Sequence, residues 1–198
     1  MTTESTLTII NSFHCDQKVA KEFVYDKCGF DFTDPKLNSE SAEYGACSFA
    51  LNGKTIQHRV SKITPTKIGQ FVTIWKRNKD GITKPFSILD DLDFIIVTSK
   101  CGDNFGQFLF PKSVLADKGI ITKNGIEGKR GIRVYPPWDT ATSKQAEKTQ
   151  RWPTKYFLTI KNDNSTDLEM AKRLLINKDF SLIDVPHHPA IMFTLKEM

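Results

Sequence analysis

The sequence predicts an α+β fold: a central mixed or antiparallel sheet flanked by helices. Short apolar or alternating runs, separated by Gly, Pro and Asn-Gly, fill residues 44–135. Amphipathic helical runs lie on either side, at 16–28 and 167–176. The 198 residues, 39% hydrophobic with 14 Phe, are enough for one substantial core.

The first helix is predicted over 16–28, where Val19, Ala20, Phe23, Val24 and Cys28 form a stripe that Gly29 ends. Residues 31–41 are polar, contain Pro35 and read as a loop. Two strands follow, 44–51 and 55–63, joined by Asn52-Gly53, a pair that accepts the positive φ angles of a type I′ hairpin turn. Thr64-Pro65-Thr66 breaks the second strand, and 69–76 makes a third. Residues 78–87 read as a turn-rich connection. The β-branched run 92–99 is the candidate buried central strand, and 105–110 pairs back after the turn at 101–104. A short helix is expected at 113–118, with Gly119 at its end. Asn124-Gly125 and Gly128 mark a flexible basic loop before a short strand, 131–135, closed by Pro136-Pro137. A polar helix at 142–151, a strand at 154–160 and the helix at 167–176 complete the order. The tail, 180–198, is apolar enough to dock.

Charge is unevenly placed. Residues 54–84 hold eight Lys or Arg against the single acid Asp80. Residues 123–155 hold eight against three acids, while the rest of the chain is acidic. Two basic blocks containing Trp75, Tyr135, Trp138 and Trp152 point to a polyanion, because each neutralised phosphate releases condensed counterions.

Several classes are disfavoured. No apolar run approaches the ~18 residues of a membrane span. The segment 1–11 lacks the basic and apolar regions of a secretory signal. Cys15, Cys28, Cys47 and Cys101 form no CxxC pair and read as reduced thiols of a cytoplasmic protein. His14, His58, His187 and His188 lack chelating spacing, so no metal site is expected from them. The glycines at 128–131 and 102–106 match neither a phosphate-binding nor a dinucleotide-binding loop, and read as turns.

Four segments resemble the MepB-like family of bacterial proteins: 63–78 (ITPTKIGQFVTIWKRN), 104–120 (NFGQFLFPKSVLADKGI), 128–139 (GKRGIRVYPPWD) and 148–152 (KTQRW). Residues 43–52 (EYGACSFALN) also fit, so the resemblance spans 43–160. It implies a compact cytoplasmic α+β protein with a nucleic-acid-type face and brings no catalytic mechanism. The expected organisation is one domain over 1–160, with 161–198 as a C-terminal extension packed on it.

The reading placed first is a nucleic-acid-binding protein without catalysis, with DNA or RNA as partner. Its candidate contacts are Arg59, Lys62, Lys67, Lys76, Arg77, Lys129, Arg130 and Arg133, with Tyr135 and Trp138 as stacking rings. An alternative is a nuclease or phosphoester hydrolase. The element order resembles the PD-(D/E)xK core of restriction endonucleases, with Glu43 as acid and Lys62 as the strand-end lysine. Val60 stands where that motif needs a carboxylate, and Arg59 repels a cation. Only this alternative requires a cofactor, Mg²⁺. A second alternative is a binder of a small anion or a protein partner. Cys47 and His58 should face each other across the hairpin, each five residues from the Asn52-Gly53 turn. No orienting acid for a nucleophilic pair is evident.

Overall fold

The computed structural model describes residues 16–38, 41–142, 144–163 and 165–176. His14, Cys15, His187, His188, the segment 1–11 and the tail 180–198 lie outside the described residues.

The fold is mixed α+β, built on a six-stranded sheet. Its strands are β1 (Lys36–Leu37), β2 (Cys47–Leu51), β3 (Lys54–Val60), β8 (Phe94–Cys101), β9 (Asn104–Pro111) and β11 (Phe157–Thr159), in that spatial order. β2–β3 and β8–β9 are antiparallel hairpins, and the two are joined by parallel pairing of β3 with β8. The β2–β3 turn uses Asn52 at φ 50° and Gly53 at φ 73°, as a type I′ turn requires. β8 is buried at every position from Phe94 to Ser99, so it is the covered central strand that its β-branched run predicts.

Side chains alternate across this sheet. One face carries Phe49, Ile56, His58, Ile96, Thr98 and Gln107, as the strand registers require. The N-terminal helical segment reaches this face: Tyr25 donates its hydroxyl to Gln107 Oε1 at 2.7 Å. That segment is α-helical over 16–20 and widens into a π turn, Lys21–Tyr25, closed by Asp26 N–H donating to Lys21 O at 2.9 Å. The C-terminal helix (Leu168–Ile176) buries Ala171, Leu174 and Leu175 in the same core. It touches the first helical segment through the Cys28 thiol, 3.8 Å from Leu168 O. The opposite face carries Val97, Phe108, Phe110 and Phe157, with Trp138, Trp152 and Tyr156 packed against its aromatic rings.

A second sheet has three antiparallel strands in the order β10 (Gly131–Val134), β5 (Lys67–Thr73), β4 (Lys62–Thr64). A two-stranded ribbon pairs β6 (Trp75–Arg77) with β7 (Thr83–Pro85). The remaining helices are α1 (Lys112–Asp117) and α2 (Lys144–Arg151), which makes the C-terminal helix α3.

Several boundaries differ from the sequence expectation. The strand expected over 55–63 breaks at Ser61, where the chain crosses from the large sheet to the small one. Ser61 Oγ lies 2.6 Å from Gln70 Oε1 and 2.7 Å from Ser99 Oγ, so a buried hydroxyl pins the crossing. The strand expected over 69–76 splits at Ile74 for the same kind of reason: β5 pairs within the small sheet and β6 within the ribbon. β1 and β7 fall in segments read as loops. The first half of the strand expected over 154–160 is a 3-10 turn, Pro153–Tyr156, because Pro153 fixes its φ and opens the turn. The loop at 123–126 is a tight turn, with Asn124 at φ 52° and Gly125 at φ 79°.

Candidate nucleic-acid interface

The small sheet turns one face to the core, through buried Gln70, Val72 and Val134. On its other face the register sets Lys62 of β4 and Arg133 of β10 on either side of Phe71. Two glycines clear space for rings on this sheet. A Cβ on Gly131 would lie 2.6 Å from the Phe71 ring, and one on Gly69 would lie 2.8 Å from the Tyr135 ring and 2.8 Å from Val134 O. Gly69 also has φ +82°, a left-handed conformation that suits glycine. Tyr44 closes the group: its ring centroid is 6.2 Å from that of Phe71, and Lys62 Nζ sits 4.4 Å from its ring centre.

Arg133 spans the face. Its Nη1 donates to the carbonyls of Gly69 at 2.9 Å, Lys67 at 3.3 Å and Ile68 at 3.4 Å, and its Nη2 to Thr64 Oγ1 at 2.9 Å. This guanidinium holds the β4–β5 turn in place. Lys62 and Lys67 stay exposed, with exposed Ile63 and Ile68 beside them.

The other sequence candidates lie elsewhere. Lys76, on the ribbon, pairs with Asp90 of the following turn. The Arg77 guanidinium lies 5.3 Å from the Trp75 ring centre and donates to Gly81 O at 2.7 Å. Arg130 binds Glu127 at 2.8 Å and Thr83 O at 3.4 Å, so it abuts the ribbon too. Lys129 lines a separate cleft with Trp152.

Two candidates differ from expectation through burial. Arg59 is 2% exposed; it donates to His58 O at 2.7 Å and faces the Phe86 ring at 5.7 Å. It lines a cavity of about 300 Å³ with Gln57, Trp75, Lys76, Asp90 and Asp91, and does not stand on the open surface as the sequence reading expected. Trp138 is half-buried: it packs edge-on against Phe157, ring centroids 5.3 Å apart, at the margin of the core.

Among the described residues no ion pair links Glu43 to Lys62. Glu43 is exposed on the 3-10 turn Ala42–Tyr44, and Lys62 lies on the adjoining Tyr44 ring. Asp93 accepts the Thr55 N–H at 2.9 Å at the start of β3. Among the described residues no group of three or more His, Cys, Asp or Glu is placed to hold a metal.

Cys47 and His58 do stand opposite each other in the hairpin. Burial pushes the Cys47 thiol up to about 12, despite nearby Arg59. Burial also holds His58 down at about 3, which outweighs the Gly45 carbonyl that favours its charged form. A protonated thiol beside a neutral imidazole is no activated nucleophile. His58 instead completes a buried chain of donors. Tyr25 donates to Gln107, and Gln107 Nε2 donates to Thr98 Oγ1 at 3.0 Å. Thr98 lies 2.8 Å from His58 Nε2, and His58 Nδ1 is 3.3 Å from Gly45 O. The Gly45 carbonyl can only accept, so Nδ1 carries the proton and Nε2 accepts from Thr98.

Sequence reasoning missed Tyr44, Phe71, Gly69 and Gly131 as parts of the face. The available signal was Gly beside an aromatic in two strand runs, GQF and GIRVY, where a missing side chain leaves room for a ring.

Fold and face together define a mixed α+β protein of the kind that the MepB-like family represents. The chain belongs to the MepB-like family, whose model matches residues 38–159. A crystal structure of MepB is similar at 35% identity, covering 67% of this chain and 89% of its own, with a TM-score of 0.64. A bacterial homing endonuclease is similar at 14% identity over 77% of this chain and 90% of its own, with a TM-score of 0.40. No curated protein matches. Among the described residues no helix is long and apolar enough to cross a membrane.

Proposed function

We propose that this protein binds DNA or RNA, in the cytoplasm, through the outer face of the small sheet. One observation carries the reading: Lys62 and Arg133 flank Phe71 on a single rung, with the Tyr135 and Tyr44 rings beside it. Ammonium groups next to half-exposed rings suit a strand whose phosphates are neutralised and whose bases stack. Lys62 and Lys67 contact phosphate, Phe71, Tyr44 and Tyr135 offer stacking surface, and Arg133 keeps the platform rigid. The ribbon residues Lys76, Arg77 and Arg130 add long-range attraction rather than direct contacts.

The test is anisotropy of labelled single- and double-stranded DNA and RNA across a salt series. The expected result is salt-sensitive binding, with the Lys62→Gln/Lys67→Gln pair flattening the log–log salt slope by about 1.4–1.8. No binding at low salt, or an unchanged slope in the pair, refutes the reading. Repeating the titration in Mg²⁺ with a gel of the products tests the nuclease alternative. Cleavage lost in Glu43→Ala would replace binding alone with catalysis.

A further inference from the structure

A cleft along the outer edge of β10 has its own chemistry. It holds about 320 Å³ and is lined by Lys118, Ile120, Lys129, Thr149 and Trp152 along the strand Gly131–Val134. That volume lies in the range of small-ligand sites. Its ionisable lining is Lys118, Lys129 and Arg133, with no carboxylate among the lining residues. The Arg133 guanidinium is already bound to the β4–β5 turn. Neither Lys118 nor Lys129 has an ion pair among the described residues. Lys118 Nζ lies 5.9 Å from the Trp152 ring centre, so charge and aromatic surface adjoin.

The third component is backbone. β10 is an edge strand, and among the described residues no strand pairs with its outer side. Ile74 N donates to Arg130 O at 2.8 Å, which makes that rung a hydrogen-bonded pair. Antiparallel rungs alternate, so 132 and 134 also bond to β5, while Gly131 and Arg133 turn their N–H and C=O groups outward. The cleft therefore offers adjacent backbone donors and acceptors, apolar walls from Ile120 and Trp152, and two ammonium groups. A planar heterocycle with neighbouring donor and acceptor atoms fits the strand edge, and a phosphate fits the lysines.

We propose that this cleft binds a nucleoside monophosphate unit, with the base on the open edge of β10 and the phosphate between Lys118 and Lys129. The unit comes either as a free mononucleotide or as the 5′-phosphorylated end of a strand. The site uses neither Lys62 nor Lys67, so it stands or falls separately from the sheet-face reading.

Calorimetric titration of the full chain with AMP, GMP, CMP and UMP, and with adenosine and inorganic phosphate, tests it. At least one monophosphate should saturate below about 1 mM and bind at least about tenfold tighter than adenosine or phosphate alone. The Lys118→Gln/Lys129→Gln pair should weaken it about tenfold or more at an unchanged melting temperature. Lys62→Gln/Lys67→Gln should leave it unchanged. Thr149→Trp, which fills the cleft from α2, should abolish it; if that variant fails to fold, the lysine pair decides. Displacement by a 5′-phosphorylated oligonucleotide, but not by its 5′-hydroxyl twin, would identify a strand end as the source. Lack of displacement would assign the free nucleotide. Absence of saturable binding by all four monophosphates, or equal binding in the Lys118/Lys129 pair, would overturn the proposal.

Discussion

The Arg133 guanidinium donates to the Gly69 carbonyl at 2.9 Å, which ties β10 to the turn between β4 and β5. The same group reaches Lys67 O, Ile68 O and Thr64 Oγ1, so one side chain gathers the acceptors of a whole hairpin tip. Arg133→Gln should lower stability by about 1–2 kcal/mol, measured by urea denaturation. Arg133→Lys should recover less than half of that, because an ammonium cannot fork across several carbonyls. Full recovery by lysine would show that charge alone matters there.

Gly69 should resist substitution for two independent reasons. Its φ is +82°, and an added Cβ would meet both the Tyr135 ring and the Val134 carbonyl at 2.8 Å. Gly69→Ala should cost about 1–3 kcal/mol. Gly53→Ala, at φ +73° with nothing within 4 Å, reports conformational strain alone and should cost less. Equal melting temperatures for the two variants would remove the steric part of the argument.

The buried His58 predicts an acid dependence of stability. Its folded pKa lies near 3 and its ordinary value is 6.5, because burial disfavours the charged ring. The unfolded chain therefore binds the proton first as pH falls. Stability from this group is complete above 6.5 and declines between about 6.5 and 3, by up to about 1.4 kcal/mol per pH unit. Thermal melts between pH 7 and 4 should show a steeper loss in the parent than in His58→Gln. Parallel curves would mean that other groups carry the acid sensitivity.

Thiol labelling should separate the cysteines in a Cys15→Ser background. Cys101 is exposed and should react first, and half-buried Cys28 more slowly. Cys47, buried and with its thiol pushed up to about 12, should react only on unfolding. Fast modification of Cys47 in the native protein would contradict the packing of the β2–β3 hairpin.

Much of the secondary structure is legible in the sequence because its causes are local. Asn52-Gly53 dictates a turn whose φ angles only a few residues accept, and that turn places Cys47 opposite His58. The β-branched run beginning at Phe94 announces a strand covered on both faces. The break at Ser61 was not legible, because it depends on Gln70 and Ser99 meeting the hydroxyl from other strands. The two-residue β1 and three-residue β7 carry no pattern long enough to read.

The site divides along the same line. The sequence by itself determined that positive charge is concentrated in two blocks and that aromatic residues lie within them, since both are counts along a chain. It also carried the family, through strings such as the one at 63–78. Only the tertiary structure decided which charges are available. Arg59 was drawn inside because β3 is an interior strand, whereas Lys62, three residues on, sits on the edge strand β4 in solvent. Pairing β10 with β5 brought Arg133 beside Phe71, sixty-two positions away in the chain, and left the other edge of β10 open. Contacts of that span follow from register and layer, which no local pattern encodes.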